Sequence, residues 1–191
     1  MTGPQPETER GVYMEIRVWR AGESEKQAHN ILEAKIWFQM CREMADAVEN
    51  QRGKLSRWID AATRITQNLS GMPGGGGDHG DKIAEAVTRK DTEARRLKVM
   101  EDELKKRRAE GVTRIFCIVS AEDKGSISRA DYIRSYYIDC EAKDAEGHFK
   151  LKTYEDVAAE YGVSVSSVAS GLKRGLEALA EIWPDIAKDC A

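Results

Sequence analysis

The sequence has no closely spaced cysteine pair, no apolar run of membrane-spanning length and no excess of basic charge. Cys41, Cys117, Cys140 and Cys190 are scattered, with no C-x-x-C and no short spacing to His29, His79 or His148. That pattern offers neither a zinc signature nor a disulfide framework, so no metal is expected and the expected location is a reducing cytoplasm. No stretch reaches about 18 consecutive apolar residues, so no membrane contact is expected. The opening residues are polar, carry Pro4 and Pro6, and lack the apolar core of a signal peptide. A net charge of −3 and a pI near 5.8 run against a nucleic-acid binder, whose domain is usually basic.

Catalytic patterns are missing as well. His29, His79 and His148 fall in a helix, a Gly-rich stretch and a polar loop, with no Ser-His-acid order and no carboxylate pair at a telling spacing. The run Met72-Pro73-Gly74-Gly75-Gly76-Gly77 is rich enough in glycine to cradle a phosphate. However, Asp81-Lys82-Ile83 lacks the Lys-Ser/Thr that must follow, and no strand precedes it. A flexible helix–helix connection explains it better. Neither an enzyme nor a cofactor is expected.

What the chain does have is helical periodicity. Its 191 residues are 41% hydrophobic and 33% charged, which fits an all-α protein with long exposed faces. Ser24 with Gln27 can open a helix. The inward positions then run Trp37, Cys41, Met44, Val48, Gln51, Leu55, Trp58, Ala62, Ile65 and Leu69, alternating steps of four and three with one polar interruption. Such a rod, roughly 60 Å long at about 1.5 Å per residue, cannot bury its stripe alone. After the Gly-rich tip at 70–81, Ile83, Val87, Lys90, Ala94, Leu97, Glu101, Leu104 and Arg108 repeat the pattern with fewer apolar members.

The expected packing is therefore a long, coiled-coil-like antiparallel hairpin over 24–119. Its excess stripe (Trp37, Cys41, Met44, Val48, Leu55, Trp58) is the expected oligomerisation surface, with a homodimer as the simplest assembly. Lys105 to Arg108 form a basic ridge that is either solvated or laid along phosphates.

Residues 1–23 form an N-terminal tail in which Val12 to Trp19 alternates with period two, as a short strand does. A strand needs a partner, and the other candidate is Val112 to Val119, where a continuing helix is favoured.

The remaining segment, 126–191, reads as a small domain. Ser128 with Asp131 opens a helix whose Tyr132, Ile133, Tyr136, Tyr137 and Cys140 form an apolar face, with the tyrosines read as core rather than as base-stacking groups. Glu141 to Lys152 is a polar connection. Thr153 caps a short helix and Asp156 answers it. Gly162 supplies a left-handed turn, Val163 points inward and Ser164 caps a second helix. That helix buries Val168, Leu172, Leu176 and Leu179 and turns Val165, Ser166, Ser167, Ala169, Ser170, Lys173 and Arg174 outward. Trp183-Pro184 is expected to end it. The spacing fits a helix-turn-helix that reads a DNA major groove, and equally an ordinary helical hairpin.

These residues carry a resemblance. Thr153 to Ala158, Gly162-Val163-Ser164, Val168, Arg174, Leu176 and Leu179 look like the helix-turn-helix of sigma-factor region four. Ala62 to Val87, with its Gly-rich tip, resembles a phage and prophage family that sets a long helical hairpin before such a reader. That family is related to late-gene and autolysin regulators of Gram-positive prophages. The resemblance implies a three-helix region-four-like domain at the C-terminal end and a transcriptional role, with duplex DNA as partner and RNA polymerase as a further one. Thr153, Tyr154, Ser164, Val165, Ser166, Ser167, Ser170, Lys173 and Arg174 are the expected DNA contacts. Two other classes stay open: a phage DNA-packaging small subunit, ring-forming and built of the same parts, and an adaptor that touches only protein.

Overall fold

A rod of 62 residues organises the chain: α1 runs from Thr8 to Leu69, roughly 90 Å at about 1.5 Å per residue. The computed structural model describes residues 8–69, 79–120 and 122–189, with side chains over 25–64, 84–120, 122–123 and 125–183. After α1 come α2 (His79–Phe116), α3 (Lys124–Ile133), a π-helical turn (Arg134–Ile138), β1 (Glu141–Lys143), β2 (Phe149–Leu151), α4 (Tyr154–Tyr161) and α5 (Val165–Asp189). The protein is thus mostly helical, with one small two-stranded sheet among the described residues. No described helix is long and apolar enough to cross a membrane.

Helices α1 and α2 pack antiparallel, with Gln51 beside Glu93 and Trp37 beside Arg107. Gln51, the polar member of the stripe, is buried and donates its amide to the Glu93 carboxylate and to the Glu93 carbonyl at 3.4 Å. A buried amide with both partners met costs little, whereas an orphan would be expensive. The apolar seam of α1 is rotated slightly from the expected one. Ala34, Phe38, Cys41, Ala45 and Val48 are the buried positions, and Trp37 and Met44 flank them. On α2 it is Ala86 that turns inward, while Val87 is exposed. Ile65, Leu69 and Ile83, and the Gly-rich tip at 70–78, lie outside the described side chains or residues.

One sequence expectation, the N-terminal strand, is corrected: Val12 to Trp19 is helical, inside α1. The continuing helix favoured from Val112 is found as far as Phe116, the end of α2. With its candidate partner helical, a strand at 12–19 would leave its backbone amides unpaired, whereas a helix closes those bonds locally. Gly111 lies inside α2. A Cβ there would come within 2.4 Å of Ile138 Cδ1, so the glycine is a place of close approach.

Further along, helix α3 opens four residues earlier than Ser128, because Asp123 is its cap and accepts from the Gly125 amide at 2.9 Å. The polar connection after Cys140 is an antiparallel β-hairpin, with Glu141 opposite Leu151 and Lys143 opposite Phe149. Helix α5 does not stop at Pro184 but continues to Asp189.

The C-terminal elements do not form a core of their own. Phe38 and Cys41 of α1 and Ile115 of α2 share one apolar cluster with Ile133 of α3, Tyr137 and Ile138 of the π-turn, Val157 of α4, and Val168, Leu172, Leu179 and Trp183 of α5. Arg42 ties the same junction by donating to the carbonyls of Tyr136 and, at 2.8 Å, Lys152. Arg114 is buried between the indoles of Trp37 and Trp183, 4.3 and 4.9 Å from the ring centres. Desolvated cation–π contacts of this kind are worth about 2 kcal/mol or more. The rod and the C-terminal helices are welded by this cluster.

Candidate nucleic-acid interface

Local hydrogen bonds fix α4 and its turn. Thr153 Oγ1 accepts from the Asp156 amide at 3.3 Å while Asp156 Oδ2 accepts from the Thr153 amide at 2.8 Å, a reciprocal cap. Lys150 Nζ adds a 2.7 Å ion pair to the same carboxylate. Gly162 ends the helix at φ 64°, where a Cβ would be strained, and the Val163 amide closes back on the Ala158 carbonyl at 3.0 Å. Val163 packs against the core, and Ser164 Oγ then accepts from the Ser167 amide at 3.2 Å to start α5.

The two faces of α5 are sharply divided. Val168, Leu172, Leu176 and Leu179 are all buried, whereas Val165, Ser166, Ser167, Ser170, Lys173 and Arg174 are exposed. Gly171 and Gly175, one turn apart, take the crossing of α3. A Cβ on Gly171 would lie 2.5 Å from Tyr132 Cδ2, and one on Gly175 would lie 2.6 Å from Ile133 Cδ1. Only residues without side chains let the helices approach so closely. Gly171 is therefore a packing position.

The expected contact residues separate into groups. Ser166, Ser167, Ser170 and Arg174 line one groove of about 450 Å³ against the start of α3. Val165 and Lys173 are exposed on the same helix, with Lys173 4.0 Å from Glu177 in a solvated pair. Ser164 Oγ sits 2.9 and 2.8 Å from the hydroxyls of Ser166 and Ser167. Thr153 commits its hydroxyl to the cap, and the ring of Tyr154 packs on that of Tyr136 at 4.8 Å, so these two are held by the fold on the α4 side.

Sequence reasoning missed the far wall of the groove, Asp123, Gly125 and Arg129, in which Arg129 pairs with Asp123. The Gly171/Gly175 spacing signals that some helix crosses α5 closely. It does not say which helix, so nothing local could reveal Arg129.

The stripe expected to oligomerise is largely used within the chain. Cys41 and Val48 are buried, Trp37 packs on Phe38, Trp183 and Arg107, and Met44 packs beside Val48 and Leu104. Leu55 and Trp58 remain half-buried, with the Arg89 guanidinium 5.1 Å from the Trp58 ring centre. The basic ridge is partly pinned too, since Arg107 lies over Trp37 and Arg108 pairs with Glu141 at 2.7 Å.

Chemically, the groove offers hydroxyls and guanidinium groups, which donate hydrogen bonds to oxyanions. Among the described residues, Asp144, Glu146 and His148 in the β-turn are the one cluster with metal-ligand atoms close together, and all three are exposed. Asp144 Oδ1 already accepts from the amides of Glu146 and His148 at 2.9 and 2.8 Å, which is the work of a turn residue. Those amide bonds also hold its carboxyl below the usual range. Compared with family models, curated proteins and solved structures, the chain matches none.

Proposed function

We propose that the chain is a DNA-binding transcriptional regulator of phage or prophage origin, working in the cytoplasm, with α4 and α5 as a helix-turn-helix and the start of α5 entering the major groove. The observation that carries this reading is the open polar face of α5: Ser166, Ser167, Ser170, Lys173 and Arg174 are exposed while the opposite stripe is buried. Serines in the first two turns of such a helix and an arginine in the third suit base edges and phosphates alike. Arg174 forms no ion pair among the described residues, so its guanidinium is available to a duplex.

Cationic contacts are few on this face, so intrinsic affinity is modest and a second copy or a contact with RNA polymerase supplies the rest. Self-association rests on Leu55 and Trp58, half-buried members of the α1 stripe that lie beyond the junction with the C-terminal helices. For a dimer, half-sites lie about 34 Å apart or at a multiple of it.

A filter-binding titration against the chain's own genomic neighbourhood tests the reading. Preference over random DNA is expected, and Lys173→Glu with Arg174→Glu abolishes it. Equal binding to random duplex at low salt rejects sequence-specific reading. A second reading, an adaptor that touches only protein, is favoured by the acidic exposed residues Glu155 and Glu160 on α4. In that case the double charge reversal leaves the protein contact intact. A ring of eight or more copies in sedimentation would instead favour a packaging role.

A further inference from the structure

Arg129 stands in the wall of the α5 groove, on a different helix from every other cation there. Its Cβ lies 3.5 Å from where a Cβ on Gly175 would be, so the glycine lets the α3 backbone carry this guanidinium up to the outer face of α5. On the opposite side are Arg174 and the hydroxyls of Ser166, Ser167 and Ser170. Two guanidinium groups and three hydroxyls thus converge on a space of about 450 Å³ that is open to solvent. The one carboxylate among them is Asp123, which is paired with Arg129. Against the two arginines it leaves a single net positive charge in the groove.

We propose that Arg129 is a DNA-backbone contact held in reserve by Asp123, and that the groove seats one phosphodiester beside the α5 reading face. This rests on the duplex-binding reading above. A phosphodiester carries one negative charge and acceptor oxygens only, and a guanidinium fork is the donor that matches it. Arg129 exchanges the Asp123 carboxylate for a phosphate oxygen as the duplex docks, while Asp123 keeps its second oxygen on the Gly125 amide at 2.9 Å and continues to cap α3. Asp123 therefore weakens non-specific attachment. A phosphate must displace a neighbour of the same sign, and only a well-seated duplex supplies enough further contacts to do so.

The probe is a fluorescein-labelled duplex from the chain's own genomic neighbourhood, titrated by anisotropy at several salt concentrations. Asp123→Asn preserves the helix cap, since asparagine caps as well as aspartate, and removes the charge. It is expected to tighten binding several-fold. Arg129→Gln is expected to weaken it roughly tenfold near 0.1 M salt and to lower the log–log salt slope by about one, the signature of one lost phosphate contact. If wild type binds and Arg174→Gln weakens it, while Asp123→Asn and Arg129→Gln both match wild type, the groove seats no phosphate and this inference falls alone. If wild type does not bind the duplex at all, the DNA reading falls and this inference with it.

Discussion

The side chain of Asn30, near the start of the described core, donates to the main-chain carbonyl of Ala180 at 3.1 Å, across 150 positions of sequence. Pro184, four residues beyond Ala180, has no N–H with which to complete the helical bond to that carbonyl. Asn30 takes the place of the missing donor, and α5 runs on to Asp189 with Trp183 in the core. This explains why a proline expected to stop the helix does not.

Replacing Asn30 with Ala would leave a buried carbonyl unsatisfied, at a cost of about 1–3 kcal/mol. Pro184→Ala restores the helical donor, so in that background the Asn30→Ala penalty is expected to shrink to a few tenths of that. A double-mutant cycle by urea unfolding measures it. Equal penalties in both backgrounds would show that Asn30 does not act through this carbonyl.

The crossing of α3 over α5 depends on Gly175. Alanine is the better helix former by about 1 kcal/mol, yet Gly175→Ala is expected to destabilise by about 1–3 kcal/mol because its Cβ meets Ile133. Ile133→Val removes the Cδ1 atom that the new methyl would strike at 2.6 Å. The double variant should recover much of the loss, read as the shift of the thermal midpoint. A stabilised Gly175→Ala protein would refute the close crossing.

The α4 cap and its neighbours give the fold an acid limb. Lys150, then the Thr153 amide, holds the Asp156 carboxyl below the usual range, and Lys152, then Ser135, does the same for Glu160. A depressed folded-state pKa means that the contribution is fully present above the unfolded values, about 3.9 and 4.3, and is lost as pH falls through the folded ones. Stability is expected to be level from about pH 5 to neutrality and to fall below about pH 4. The double variant Asp156→Asn, Glu160→Gln should be less stable at neutral pH and flatter on the acid side. Guanidinium unfolding at a series of pH values tests the sign.

Thiol chemistry separates the cysteines. Burial pushes the Cys41 thiol up to about 11 and raises that of Cys140, whereas Cys117 is exposed. The thiolate is the reactive form, so Cys41 and Cys140 should resist a disulfide reagent until the chain unfolds. With Cys190→Ser, which removes the cysteine outside the described residues, a fast reaction at Cys117 alone is expected. Rapid labelling of Cys41 would mean that the junction between α1 and the C-terminal helices opens readily.

The sequence by itself determined what closes within a few residues. Thr153 finds Asp156 three positions away, Gly162 carries its own backbone freedom, and the Val168-Leu172-Leu176-Leu179 stripe follows from helical pitch, so α4, the turn and the buried face of α5 were legible. The β-hairpin was not, because its strands are three residues each and too short to show an alternation. Nor was the rotation of the α1 seam from Trp37 toward Phe38, since that helix packs against α5 and the π-turn as well as α2. Tertiary structure alone decided that Asn30 would meet Ala180 and that Arg129 would face Arg174 across a groove. Such pairings depend on how helices distant in sequence cross. Crossing is set by the summed packing of many small contacts, and no short stretch of sequence encodes that sum.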